Sequence, residues 1–224
     1  MKLSVIVPIL NEAQALASLL DQLARLAHQG TEVILSDGDS EDGSASMAEQ
    51  AGFTVVQSTR GRARQMNAAA ALATGDVLLF LHADTRLPDH AGQYIAQALA
   101  AGTHCWGRFD VRISGRPYLL RVVSRLMNVR SCITGIATGD QAIFVTRSAF
   151  DAVGGFPDQP LMEDIELSKR LLAHSKPARI RQPVITSGRR WEQDGVWRTI
   201  VLMWRLRWNY WRGVPAQQLA KIYR

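Results

Sequence analysis

Four turns in this chain gather carboxylates and arginines in combinations suited to an anionic ligand. Pro8-Ile9-Leu10-Asn11-Glu12 follows one apolar run, Asp37-Gly38-Asp39-Ser40-Glu41-Asp42-Gly43 follows a second, and His82-Ala83-Asp84-Thr85 follows another. A carboxylate just beyond a strand can accept hydrogen bonds from a base or ribose. An oxygen-rich loop can also hold a hard divalent cation that bridges a diphosphate. Asp37, Asp39 and Asp42 are equally the residues that turns and helix caps select, so the weight of the pattern lies in three such loops falling in succession. The segment Arg60-Gly61-Arg62-Ala63-Arg64-Gln65-Met66-Asn67 sets guanidiniums at a helix start, where the dipole and free amides already favour a phosphate; solvated surface arginines are the plain alternative. The fourth turn, residues 154–164, ends in adjacent Glu163 and Asp164. A carboxylate there can act as general base toward an acceptor hydroxyl, or simply complement the dipole of the helix it opens.

The elements that must position these residues alternate. Residues 3–8 are nearly all apolar and rich in β-branched side chains, the mark of a strand buried on both faces of a parallel sheet. Leu16, Leu19, Leu20, Leu23 and Leu26 follow at helical spacing, with Asn11 as the expected N-cap and Gly30 as the stop. Strands are expected at 32–36, 54–57 and 77–81, and helices at 44–51 and 63–73. Four strands with three intervening helices imply parallel βαβ units, whose ligands bind beyond the carboxyl ends of the strands. The later half is less regular: an alternating strand at 106–113, an amphipathic stretch at 118–127, a strand at 142–145 and a helix at 163–174. No GxGxxG opens the first helix and no GxxxxGK[ST] loop occurs, which argues against dehydrogenase and kinase chemistry.

Composition sets the outer limits. The 224 residues, 47% apolar and 21% charged, suit a globular protein, read as one catalytic domain (1–190) with a tail (191–224). Cys105 and Cys132 have neither disulfide-framework nor zinc spacing, and the N-terminus lacks a cleavage site, so a cytoplasmic location is expected. The net charge of +6 suggests an anionic partner; eight Lys or Arg against Glu192 and Asp194 from Arg189 onward concentrate it in the tail. There Trp197, Ile200, Val201, Trp204, Trp208 and Trp211 share one helical face edged by Arg198, Arg205 and Arg212. Such a helix either rests on an anionic membrane or packs on the domain or on a second copy of the chain. The arginines interrupt any span of roughly 18 apolar residues. No zinc spacing or RNA-binding signature supports a nucleic-acid partner.

In this order, SVIVPILNE, DGDSEDG, HADT, GDQAIFV and GGFPDQPLMEDIEL resemble the family 2 glycosyltransferases of the GT-A fold. The resemblance implies an α/β Rossmann-like, mainly parallel sheet flanked by helices, with a nucleotide-sugar half at about 1–103 and an acceptor half at about 104–190. It implies that Pro8, Glu12 and Asp37 hold base and ribose, and that Asp84 binds Mg²⁺ or Mn²⁺ at the diphosphate of a nucleotide-sugar donor. Asp164, beside Glu163, would be the base of an inverting transfer to a small-molecule or lipid-linked acceptor. Asn11, Asp39, Arg62, Gln65, Asn67, Ala83 and Gln141 are expected around the donor. HAD keeps one acid where the family's DxD has two, leaving His82 either to ligate the metal or to pack. GRARQMN, FLHADT, LMEDIELSKRL and TSGRRW are similar to a bacterial subgroup associated with radical-SAM proteins and arsenosugar biosynthesis, which would bring Arg189, Arg190 and Trp191 near the site. Two rival readings are a sugar-phosphate nucleotidyltransferase, which carries a Gly-rich loop after the first strand where this chain has Asn-Glu, and a non-catalytic nucleotide-sugar binder.

Overall fold

The apolar runs become strands and the leucine stripe a helix. In the computed structural model, which describes residues 1–223, β1 (Leu3–Ile9), α1 (Ala13–His28), β2 (Glu32–Asp37), α2 (Ser44–Gln50), β3 (Thr54–Gln57), α3 (Arg62–Leu72) and β4 (Val77–Phe80) succeed one another as expected. β1 pairs in parallel with β2 on one side and β4 on the other, and β2 pairs in parallel with β3. The chain therefore reverses its direction of winding beside β1, and the loops after β1, β2 and β4 open on one sheet edge.

β1 is buried along its whole length and feeds two cores. Val5, Val7 and Ile9 face Leu16, Leu19 and Leu23 of α1. Ile6 faces the opposite layer, where Met66 of α3 packs near Phe150 and Leu167. Each fully buried leucine contributes roughly 1.5–3 kcal/mol, so the helices on both faces hold the loop edge rigid.

The second half completes the sheet in the order β3-β2-β1-β4-β7-β6-β8-β5. Its strands are β5 (Thr85–Arg86), β6 (Trp106–Ile113), β7 (Phe144–Thr146) and β8 (Ala178–Thr186); β4–β7, β6–β7 and β5–β8 are antiparallel, whereas β6–β8 is parallel. Its helices are α4 (Ala91–Ala100), α5 (Leu119–Thr134), α6 (Arg147–Ala152) and α7 (Glu163–Leu172), followed by α8 (Arg189–Asp194), α9 (Val196–Trp211) and α10 (Ala216–Tyr223).

Several expectations need correction. Asn11 does not cap α1: its φ of 53° places it in a left-handed turn, and its Oδ1 accepts from Glu41 N at 2.8 Å. The β6 segment alternates in sequence, yet only Arg112 within it is exposed, because the sheet is covered on both sides. Arg108 is buried there and pairs with Asp110, which Arg179 also grips at 2.7 Å. Residue 142 precedes β7 with φ 47°, so that strand starts later than expected. On α9, Ile200 turns toward Ile113, Leu120 and Val123 rather than joining the tryptophans. Leu206 and Leu219 pack on Met162 and Ile165, fastening α9 and α10 to the body. Among the described residues no helix is long and apolar enough to cross a membrane.

Candidate active site

The loops after β1 and β2 are laced together. Asn11 N donates to Ser40 Oγ (3.0 Å), Glu12 N to Ser44 Oγ (2.9 Å) and Ala13 N to Asp42 Oδ2 (2.8 Å). The first turn of α1 is thus capped from the neighbouring loop, and Asp42 is a structural cap. Asp37, 2% exposed, ends β2. Its Oδ2 accepts from Asp39 N and Ser40 N, both at 3.1 Å, whereas its Oδ1 is buried without a hydrogen-bond partner. A buried carboxylate oxygen is costly to leave unpaired, so this atom is poised for a donor from a ligand. Asp39 sits beside it, exposed and left-handed at φ 71°.

Below these loops a cavity of about 350 Å³ gathers residues from segments far apart in the chain. Glu12, Arg62, His82 and Asp84 come from the first half; Glu163 and Asp164 open α7; Arg189, Arg190 and Trp191 come from α8. β5 and β8 pin the first of these groups to the third: Ser187 N donates to Asp84 O at 3.1 Å, and Arg189 N to Ser187 Oγ at 3.2 Å. Arg189 then reaches within 3.6 Å of Glu12. Burial, and after it the charge of Asp84, push the Glu12 carboxyl above its usual range, with Arg189 opposing. Arg190 lies over the Tyr223 ring at 3.9 Å and donates to the Tyr223 carbonyl at 3.1 Å, so α10 closes this wall.

The two acids of α7 differ. Asp164 Oδ1 accepts from Ile165 N (2.7 Å) and Oδ2 from Gly139 N (2.9 Å), which orients the carboxylate toward the cavity. Glu163 is buried beside it with Arg62 at 3.9 Å; burial, then the Asp164 charge, push it up to about 7. His82 packs so closely on Gly139 that a Cβ there would lie 2.4 Å from its Nε2. Burial, and then Arg62, hold the imidazole well below its ordinary pKa, so it is neutral.

Other expected residues build the walls rather than the cavity surface. Gln65 Nε2 donates to the carbonyls of Ile9 (2.7 Å) and Ser36 (2.9 Å), clamping β1 to β2. Asn67 bonds both Phe156 N (3.0 Å) and Phe156 O (2.8 Å), holding the glycine turn before α7. Gln141 is fully buried and accepts from Thr138 N at 3.2 Å. Pro8 lies within β1 and Ala83 is buried behind Asp84, so neither offers a polar side chain. Arg64 pairs at the surface with Asp158. Residues the sequence did not single out also line the cavity: Thr138, Asp140, Met203, Leu206, Arg207 and Tyr223. The signals for them were the GDQAIFV motif, which contains Asp140, and the amphipathic helix, which carries Met203, Leu206 and Arg207. A larger cavity of about 850 Å³ lies between β8 and α5, but it contains no residue of the three acidic loops.

Among the described residues no three His, Cys, Asp or Glu side chains form a closed metal cage. Asp84 nevertheless suits a hard cation that arrives with a diphosphate, since Mg²⁺ and Mn²⁺ need only one or two carboxylates besides phosphate oxygens and water.

Known proteins share this architecture. A mannosyltransferase of Pyrobaculum calidifontis, solved with GDP-Man and Mn²⁺, is 25% identical with a TM-score of 0.62, covering 83% of this chain and 56% of its own. Staphylococcus aureus TarS 1–349, at 18% identity and a TM-score of 0.66 over 84% of this chain and 61% of its own, shares the fold. The beta-monoglucosyldiacylglycerol synthase of Synechocystis is 24% identical over 94% of this chain; the chain spans about half (49%) of that relative. The family model described as Glycosyl transferase family 2 matches residues 4–146, which contain β1 to β7 and the three acidic loops. That match covers more than half of the 224 residues, and the chain belongs to glycosyl transferase family 2.

Proposed function

We propose that this chain is an inverting glycosyltransferase that takes a sugar from a nucleotide-diphosphate sugar, with Mg²⁺ or Mn²⁺, and passes it to an acceptor oxygen beside Asp164. The observation that carries this reading is the convergence of Asp84, Asp164 and the Arg189-Arg190 pair on one cavity. The mannosyltransferase crystallised with GDP-Man and Mn²⁺ supports the donor and metal classes.

In this reading Asp37 Oδ1 and Glu12 receive donors of the base or ribose, and Asp84 meets the cation at the diphosphate. Arg189 and Arg190 face the phosphates. When bound, the cation would neutralise charge developing on the diphosphate. Asp164 takes the proton of the acceptor hydroxyl as its oxygen attacks the anomeric carbon opposite the diphosphate. The bond to the diphosphate breaks as the new bond forms, so configuration inverts without a covalent enzyme intermediate. Neutral His82 packs against Gly139 and holds the Asp84 loop in place.

A thermal-shift panel of nucleoside diphosphates, each with and without Mn²⁺, tests the donor site, because a ligand of the folded state raises apparent stability. One nucleotide is expected to stabilise the protein only with metal, and Asp84→Ala to abolish the response. Asp164→Asn should keep that response and lose transfer. Full transfer by Asp164→Asn would remove Asp164 as base, and no response to any nucleotide would defeat the reading.

A further inference from the structure

Arg130 of α5 and Arg207 of α9 are two half-buried cations without a carboxylate ion-pair partner among the described residues. Neither forms an ion pair among the described residues, and Arg130 Nε and Nη2 are buried with no hydrogen-bond partner. Burial, then the charge of Arg207, pull the Arg130 guanidinium down to about 10, against the pull of Asp140 and Asp164. Two guanidiniums held near each other in a partly dry place repel, and the pull of Asp140 and Asp164 offsets burial and repulsion at Arg130 only in part.

The two residues stand at a junction. Arg207 lines the reaction cavity with Asp140 and Asp164, and it also lines, with Arg130, a second groove of about 730 Å³. The rest of that groove is Val201, Trp204, Arg205, Trp208 and Trp211, with the rings of Trp208 and Trp211 5.2 Å apart. Its walls suit hydrocarbon, and its inner end suits an anion next to the proposed base.

The surroundings match. α5 and its N-cap carry an exposed stripe of Tyr118, Val122, Leu126, Val129 and Ile133, and α9 one of Trp197, Val201, Trp204, Trp208 and Trp211. These ten are most of the exposed large apolar residues among those described, so such residues are concentrated on two helices rather than scattered. Arg121 and Arg125 on α5, Arg198 and Arg205 on α9, and Arg212 at its C-cap are exposed along the stripes. Apolar stripes with tryptophan and arginine edges fit the headgroup boundary of an anionic bilayer.

We infer that Arg130 and Arg207 form the phosphate subsite of a membrane phospholipid acceptor, whose hydrocarbon lies along the tryptophan groove and whose headgroup hydroxyl reaches Asp164. The acceptor role rests on the function proposed above; the lipid subsite is measurable apart from it.

Co-sedimentation with vesicles of phosphatidylcholine, with and without phosphatidylglycerol, tests the subsite. Wild type should bind the phosphatidylglycerol vesicles and bind phosphatidylcholine alone weakly. Arg130→Gln with Arg207→Gln should lose ~30-fold in affinity, at about 1 kcal/mol per arginine near an anionic surface. Trp204→Ala with Trp208→Ala should also lose binding. Removing a partnerless buried charge should raise the melting temperature of ligand-free Arg130→Met, and a lowered one would mean that Arg130 has an internal partner. Equal binding to both vesicles, unchanged binding by the double arginine variant, or protection by inorganic phosphate as strong as by soluble short-chain phosphatidylglycerol would each overturn the subsite. A nucleotide response kept in every variant separates lipid loss from damage to the donor site; its absence in wild type defeats the proposed function and leaves the vesicle result standing.

Discussion

Glu163 and Asp164 are neighbours in sequence with opposite environments. Asp164 is oriented by two backbone amides, whereas Glu163 is buried with Arg62 at 3.9 Å as its counter-ion. The Glu163 carboxyl rises from 4.5 to about 7 on folding, so it is protonated in both states below about 4.5 and ionised in both above about 7. Between those values only the unfolded chain releases the proton, and stability falls as pH rises. Glu163→Gln lacks this loss. Chemical denaturation at pH 8 should find the variant more stable by up to ~3 kcal/mol, with the two proteins converging near pH 4. A constant difference across that range would show that burial of the charge is not what distinguishes them. The acids themselves were visible in the sequence; their division of labour was not, since it depends on Gly139 and Arg62 arriving from distant elements.

At the scale of elements, the clearest consequence concerns Gln65. It belongs to an arginine-rich helix start that reads as a phosphate site, but in the structure its amide joins the ends of β1 and β2. Gln65→Ala would take a donor from two buried carbonyls, of which that of Ile9 keeps Gly38 N at 3.0 Å, a cost of ~1–3 kcal/mol seen as a lower denaturation midpoint at unchanged slope. The βαβ half was legible because buried parallel strands are uniformly apolar and their helices carry clear stripes. The later half was not. β8 came without a strand signal, with Arg179, Arg181 and Pro183 along it, and it is held by pairing with β6 across a bulge. The stripe on α9 was read correctly as apolar, but it is the exposed face; the buried face uses Thr199 and Leu206. Periodicity locates a face, and only the neighbours decide whether protein covers it.

For the whole molecule, the C-terminal helices complete the candidate cavity instead of hanging from it. Leu206, with no exposed area, meets Met162 and Ile165 at the start of α7, next to both candidate catalytic acids. Leu206→Ala should cost ~3 kcal/mol by the usual cavity penalty. Hydrogen exchange should show faster opening at α7, α9 and α10 together; a change confined to α9 would mean that the tail is energetically separate. The opposite end of the cleft follows a different logic, set by the capping of α1 from the loop after β2. Because α1 brings no cap of its own, its first turn is secured only once β2 lies beside β1 and residues 40–44 have swung into place. Formation of the proposed nucleotide cleft should therefore come after strand pairing along the folding route. Substitutions at Ser40, Asp42 or Ser44 would then leave the rate of folding nearly unchanged and speed unfolding instead.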